Sequence, residues 1–465
     1  MKRNNTLFLL LLLYVGFSVN AQNTVLSYND FIANILTNNP LAKKANNETE
    51  LANLKYRAAL GNYDPLINAD YSQKELSGKN YYSLLNSEIK QPIFTSQYLK
   101  VGYDYGVGAY VNPETYTAPK GLGYLGVEVG LLQGLLIDKR RAEVLKSKEY
   151  INYHQSEKNN QLNNLLFESS LRYFDWLFYT KQIALNNYFL ERAKERFVGI
   201  KTLTDIGEKA PMDTIEAAIL FQSRLLDLQS VLLENQKIIN DINTFNWQNG
   251  NAANNSTQYQ PSDSLDKAFD KIVQQLGSHI QQTESNNPVL LKYNSMQEIL
   301  KIENRLKKEM IKPVLNVKYN FLSSNPSDEL NLSTNNYKWG FNVAFPLLLR
   351  TATNDYKMSK LQVNNNQFDI MNKANELNFK LNALKQNIST LSEQINTASL
   401  NARYSNQLVE SEKLKFNNGE STLFMLNTRE NKWFESEIKL AEYKLKLIKT
   451  LLSVIYINGN LNYTL

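Results

Sequence analysis

Two stretches of this chain carry one pattern, 248 positions apart. Asn38-Asn39-Pro40 recurs as Asn286-Asn287-Pro288. Asp64-Pro65-Leu66-Ile67-Asn68-Ala69-Asp70-Tyr71 recurs as Lys312-Pro313-Val314-Leu315-Asn316-Val317-Lys318-Tyr319. The equal spacing means that no net insertion separates the two motifs in either copy. A unit of this length is far larger than a solenoid repeat of ~20–50 residues. The chain therefore reads as two related halves, 22–247 and 264–465, joined by a linker over 248–263 rich in Asn, Gln, Ser and Thr. Each half must act as one module, and the function must follow from joining them.

The first residues read as an export signal. Lys2 and Arg3 supply positive charge, Leu7 to Val15 an apolar run, and Val19-Asn20-Ala21 a small-residue cleavage site before Gln22. Residues 1–21 are thus expected to be removed. No stretch reaches the ~20 apolar residues that a helix needs to cross a bilayer, so an exported chain without a transmembrane helix is expected. There is no cysteine, so neither a disulfide framework nor an acylated N-terminal cysteine is expected. The formal charge of +6 falls to +4 without Lys2 and Arg3, and acids alternate with bases along the helical stretches. That is the pattern of a solvated helix surface and argues against nucleic acid as a partner.

Periodicity orders both halves alike. An amphipathic helix comes first, over 28–60 and again over 264–310, broken at each Asn-Asn-Pro. Pro40 and Pro288 suit a first helical turn, where the missing N–H costs nothing. Strands follow. Ile67, Ala69 and Tyr71 alternate with Asn68, Asp70 and Ser72; Leu315, Val317, Tyr319 and Phe321 alternate with Asn316, Lys318 and Asn320. Tyr337, Trp339, Phe341, Val343 and Phe345 alternate with Lys338, Gly340, Asn342 and Ala344, and Val127 and Val129 with Gly126, Glu128 and Gly130. Period-two alternation gives one apolar and one polar face. Segments of ~10 such residues can cross a bilayer, but only inside a closed barrel. The first half holds about thirty extra residues here, with Val101, Tyr103 and Tyr105 alternating against Gly102, Asp104 and Gly106. This extra segment reads as an added hairpin or an extracellular loop.

Each half then carries a very long helix, 142–203 and 352–416, free of proline. Both reach a Gly-Glu pair, Gly207-Glu208 and Gly419-Glu420, after which a second helix returns. The first return carries Ala218, Phe221, Leu225, Leu228, Leu232, Asn235 and Ile239 at steps of three and four. The second carries Phe434, Ile438, Ala441, Leu445, Ile448, Leu452 and Ile455. These are heptad seams, as in coiled coils. Four or so membrane-length strands cannot close a barrel, since even a small one needs about eight. An open edge in lipid leaves backbone groups unpaired. Several chains must therefore pool strands, with the helical hairpins continuing as a second tube.

Over essentially all of the mature sequence, the chain resembles the TolC-type outer-membrane efflux channels. The features that carry the resemblance are the Asn-Asn-Pro openings and the Pro-x-(hydrophobic)-x-(hydrophobic)-x-Tyr strand starts. Gly126-Val127-Glu128-Val129-Gly130 through Asp138-Lys139-Arg140-Arg141-Ala142 resembles the family's strand-to-helix junction. Arg196-Phe197 with Asp213-Thr214-Ile215-Glu216-Ala217 resembles its first hairpin tip, Phe416-Asn417-Asn418-Gly419-Glu420-Ser421 its second, and Gly459-Asn460-Leu461 its terminal Gly-x-Leu. The resemblance implies a mixed α/β membrane protein built as a homotrimer. Four strands per chain would form a twelve-stranded outer-membrane barrel, and four long helices per chain a periplasmic α-helical coiled-coil barrel. The tips would meet a periplasmic adaptor linked to an inner-membrane pump, making the protein the passive exit duct of an efflux or type I secretion system. One departure is visible. Family members carry acids six and nine positions after the second tip glycine; here Met425 and Thr428 stand there, while the same offsets after the first tip glycine give Asp213 and Glu216.

On this reading the tip residues are Arg196, Gly207, Glu208, Asp213, Glu216, Gly419, Glu420 and Ser421. Asn68, Asp70, Asn316, Lys318 and Asn342 face the pore, and Tyr319, Trp339 and Phe341 face lipid or the aromatic belt. Ordinary explanations stand beside several of these. Acids favour a first helical turn, and turn glycines serve a positive φ. An exposed helix arginine needs no special role, and strand aromatics also build soluble cores. His154 and His279 lie in separate halves without a metal-site pattern. No nucleophile elbow, phosphate loop or carboxylate pair is present, so no enzyme activity, metal or cofactor is expected. The competing architecture is a periplasmic coiled-coil scaffold or adaptor whose strands form a soluble domain.

Overall fold

The computed structural model describes residues 24–93, 96–117, 119–248, 250–252, 259–276, 287–324 and 334–460. The expected signal segment, part of the 248–263 linker, His279, Asn286 and Leu461 lie outside them. In chain order the first elements are β1 (Thr24–Leu26), α1 (Tyr28–Asn38), α2 (Pro40–Leu60), β2 (Leu66–Leu76), β3 (Lys79–Pro92), β4 (Gln97–Val107) and β5 (Leu122–Gly130). Next come α3 (Lys139–Asp205), α4 (Pro211–Phe245), β6 (Trp247–Gln248), β7 (Asn251–Ala252), β8 (Tyr259–Pro261) and α5 (Leu265–Leu276). The chain ends through α6 (Pro288–Glu309), β9 (Val314–Ser323), β10 (Tyr337–Ala344), α7 (Arg350–Asn417) and α8 (Leu423–Asn458). Among the described residues, no helix is long and apolar enough to cross a membrane.

The repeated Asn-Asn-Pro has a local cause. Asn39 Oδ1 accepts a hydrogen bond from Leu41 N at 2.9 Å, and Asn287 Oδ1 accepts one from Val289 N at 2.8 Å. The second Asn of each motif thus satisfies a helix-start N–H, and the proline occupies the first helical position, where no N–H is needed. The long helices run as read, 67 residues in α3 and 68 in α7.

Two compact units divide the chain. One, residues 44–161 and 285–379, holds a six-stranded antiparallel sheet in the order β10-β9-β5-β4-β3-β2. Here the structure corrects the four strands per chain that the resemblance implied. The extra segment is an added hairpin, not an extracellular loop. It forms β3 and β4, two full strands inserted between β2 and β5. Ser77 and Gly78 turn β2 into β3, both at positive φ, the backbone of a tight two-residue hairpin. The strands of the two sequence halves meet at β5 and β9, where Glu128 pairs with Lys318 and Val127 with Tyr319. Among the described residues, β2 and β10 are open edges.

The other unit, residues 1–43, 162–284 and 380–465, is helical around an aromatic core. Tyr28, Phe31, Tyr173, Phe174 and Trp176 are buried there, with ring centroids 5.2 Å apart for Tyr28–Tyr173 and 5.7 Å for Tyr173–Trp176. Both phenols are satisfied, Tyr28 by Ser170 Oγ at 2.8 Å and Tyr173 by Leu26 O at 3.0 Å. β1 and β8 pair in parallel beside this core. Asp266 of α5 holds Lys181 and Lys444 at 3.1 and 2.6 Å.

Candidate functional site

The sheet sorts its residues by parity. Cross-strand partners point to one face, and the register pairs odd with odd and even with even from Ile67 opposite Ile89 through Val101, Leu125, Phe321 and Tyr337. The odd face carries Ile67, Tyr71, Ile89, Val101, Val127, Trp339, Phe341 and Val343, all exposed large apolar side chains. Trp339 is 61% and Phe341 66% exposed, an unfavourable state in water. The even face is polar. It carries Asn68, Asp70, Glu88, Lys90, Lys100, Asp104, Glu128, Asn316, Lys318, Lys338 and Asn342. Such a sheet suits a wall with hydrocarbon on one side and water on the other.

The even-face charges are cross-linked. Lys100 Nζ lies 2.8 Å from Glu128 and 3.5 Å from Glu88, and Lys90 Nζ lies 3.3 Å from Glu128. Tyr124 donates to Glu88 at 2.9 Å. The Tyr124 ring lies across Gly102, where an added Cβ would come within 2.2 Å of it. Three of the four acids and bases in this cluster, Glu88, Lys90 and Lys100, come from the inserted strands, and both lysines meet Glu128 of β5.

The helical hairpins end in two turns of the same construction. Gly207 N bonds Thr204 O while Glu208 N bonds Leu203 O; Gly419 N bonds Phe416 O while Glu420 N bonds Lys415 O. Both glycines have positive φ, +81° and +77°. This is the Schellman cap, in which a left-handed glycine closes the last helical carbonyls. The turns pack against each other through Ile200, Ala217 and Leu423, flanked by Phe197 and Phe416. Behind them lies an ion network around Glu430, 3% exposed. Arg192 Nε is 2.8 Å and Arg196 2.7 Å from its carboxylate. Arg196 also donates to Asn427 Oδ1 at 2.8 Å, and Asn427 donates to Glu216 at 3.1 Å. Burial alone would raise the Glu430 pKa, but hydrogen bonds and positive charge from Arg196 and then Arg192 outweigh it and hold the carboxyl below the usual range. Outside this network the tips expose Ile206, Met212, Ile215, Ile219, Leu414 and Phe424.

No protein-family model matches the sequence, and no curated protein matches it either. Solved structures do match. The outer-membrane channel OprN is similar over 93% of this chain and 89% of its own, at 11% identity and a TM-score of 0.66. The outer membrane protein VceC of Vibrio cholerae is similar over 93% and 95%, at 11% identity and 0.66. The CmeC outer membrane channel of Campylobacter jejuni is similar over 93% and 85%, at 14% identity and 0.62. The fold is that of the TolC-type outer-membrane channels.

Within that TolC-type fold, the residues picked from sequence fall as follows. Asn68, Asp70, Asn316, Lys318 and Asn342 all lie on the even face, and Tyr319, Trp339 and Phe341 all on the odd one. Gly207, Glu208, Gly419 and Glu420 are exposed at the tips. Asp213 lies in the first turn of α4, and Ser421 donates to Glu412. Arg196 is not a free surface cation: its side chain is committed to Glu430 and Asn427. Glu430, Arg192 and Asn427 were not singled out from sequence, nor were Glu88, Lys90 and Lys100. Parity could have found the last three, since they continue the even polar series; the first three carry no local signal.

Proposed function

We propose that the chain is one subunit of a homotrimeric outer-membrane exit duct, a passive conduit that docks to a periplasmic adaptor and an inner-membrane pump. The observation that carries this reading is the sheet itself: an exposed apolar face backed by a charged polar face, with both edge strands unpaired. Unpaired edges in hydrocarbon are costly, and pairing β2 of one copy with β10 of the next removes them. Three copies with six strands each would close an eighteen-stranded barrel rather than a twelve-stranded one. Barrels of 16–18 strands leave a water-filled lumen. The even face would line it, with Asp70, Asn316, Lys318 and Asn342 in reach of solute, while Trp339, Phe341 and Tyr319 meet lipid. The tips would dock the adaptor through the exposed turns at Gly207 and Gly419 and the apolar side chains beside them.

Purified protein in detergent tests this directly. A trimer that forms ion-conducting pores in a planar bilayer is the expected result. A monomer that forms none, released with the periplasm on fractionation, would replace the duct with the scaffold architecture.

A further inference from the structure

Where the sheet gives way to the long helices, the chain sets exposed leucines against a cationic cavity. The odd apolar face of β5 runs on past Val129 into Leu131, whose N–H still bonds Leu315 O at 2.8 Å. Leu131, Leu132, Leu135 and Leu136 then stand exposed, Leu136 at 74%. Behind them lies a cavity of about 600 Å³. Four cations line it: Arg141 of α3, Arg305 and Lys308 of α6, and Lys312 just beyond α6. Its apolar wall is Leu136, Ile137 and Leu145; Ile137 is anchored in a cluster with Ala142, Ile302 and Leu306.

The one acid in the wall is already committed. Glu309 is 4% exposed, ion-paired to Lys312 at 2.8 Å, and accepts from Leu136 N at 3.3 Å. Arg141 is held by Asp138 and by the carbonyls of Gly134 and Leu135. Arg305 and Lys308 are exposed and have no ion-pair partner among the described residues. The cavity therefore has a surplus of positive charge. Lysines in a last helical turn complement the helix dipole, which accounts for Lys308. It does not account for Arg305 a turn earlier or for the exposed leucines. At the other sheet exit Leu347 and Leu348, 90% and 72% exposed, likewise precede Arg350, although the 360 Å³ cavity it lines also holds Asp355, ion-paired to Lys307 at 3.1 Å.

We propose that the 600 Å³ cavity binds the headgroup of an anionic phospholipid of the periplasmic leaflet. Arg305 and Lys308 hold the phosphate, and Leu136 and Leu145 pack the first carbons of the acyl chains. Apolar side chains followed by cations are how a protein marks the depth at which hydrocarbon yields to headgroups. The inference rests on the membrane placement proposed above, and deepens it by naming a lipid class and its residues.

The test uses the full chain in detergent, with native mass spectrometry of bound phosphatidylglycerol against phosphatidylcholine. Wild type is expected to retain phosphatidylglycerol preferentially. The double variant Arg305→Gln/Lys308→Gln changes two exposed side chains and is expected to keep its Tm, its assembly and its conductance in phosphatidylcholine bilayers. It should lose about thirtyfold of the preference, the effect of two cations at an anionic surface. Millimolar inorganic phosphate should not displace the lipid, because it has no acyl chain to pack. Equal retention of the two lipids, an unchanged preference in the variant, or displacement by phosphate would each overturn the proposal. Pores that conduct without any lipid preference sink this inference alone; failure to insert into bilayers sinks the duct and the lipid site together.

Discussion

Glu430 has almost no contact with water and holds two guanidinium groups, so its charge and theirs depend on each other. Removing one partner of a buried pair costs about 3–5 kcal/mol. Arg196→Ala should sit at the low end, because Arg192 still holds the carboxylate. The loss should appear as faster hydrogen exchange in α8 near Leu423–Trp433; unchanged exchange would show the pair to be idle. The pH dependence has a definite sign. A carboxyl whose pKa is lowered by folding stabilises the tip above its unfolded pKa, and this is lost as pH falls through the folded one. Tip protection should thus hold down to the ordinary Glu range, about pH 4.3, and decline below it. In Glu430→Gln that decline should vanish. The turn glycines behave differently. Gly419 has open space where a Cβ would stand, so Gly419→Ala costs only its positive φ, about 1–2 kcal/mol. Gly419→Pro also removes the N–H that bonds Phe416 O and cannot adopt φ +77°. It should spare the trimer and abolish export, read by gel filtration and by accumulation of cargo in cells. Loss of the trimer itself would put its effect on folding.

Strands β3 and β4 form a removable element. β2 ends at Leu76 and β5 begins at Leu122, both at the sheet end away from the helices. Deleting residues 79–107 would join them through 77–78 and 108–121 as an ordinary antiparallel hairpin. Odd residues stay with odd ones, because Ile67, Ile89, Val101 and Leu125 share one face in the present register. Parity is what a sheet cannot give up, since a one-residue slip exchanges its faces. The deletion should therefore still assemble, with a narrower barrel and a lower single-channel conductance. Equal conductance would mean that β3 and β4 do not belong to the pore wall.

For the whole molecule, the proposed assembly closes through the edges of β2 and β10, which have no outer neighbour among the described residues. The chain has no cysteine, so engineered pairs report without background. Asp70→Cys combined in turn with Lys338→Cys, Gly340→Cys or Asn342→Cys places thiols on the even face of both edges. At least one combination should give an oxidised ladder ending at the trimer on a denaturing gel. A ladder ending at the dimer, or none, would reject edge-to-edge closure. The long helices raise no such question of edges, because each α-helix satisfies its own backbone.

Much of this was written locally. Alternation assigned Asp70, Lys318 and Trp339 to their faces, because side chains in a strand point alternately whatever the strand pairs with. Asn39 and Asn287 before proline fixed two helix starts, and Gly207 and Gly419 two helix ends, because capping involves only neighbours in sequence. β3 was hidden because Tyr81-Tyr82 and Leu84-Leu85 put like residues on opposite faces and blur its period. Its place in the sheet, and so the six strands, rests on pairing with β4 and β2. The contacts of Glu128 with Lys90 and Lys100, of His154 with Glu48 at 3.0 Å, and of Arg196 with Glu430, 234 positions away, belong to the tertiary structure alone. The sequence determines which way each side chain points within its element. Which side chain stands opposite depends on how distant elements pack, and no local signal in the chain encodes that.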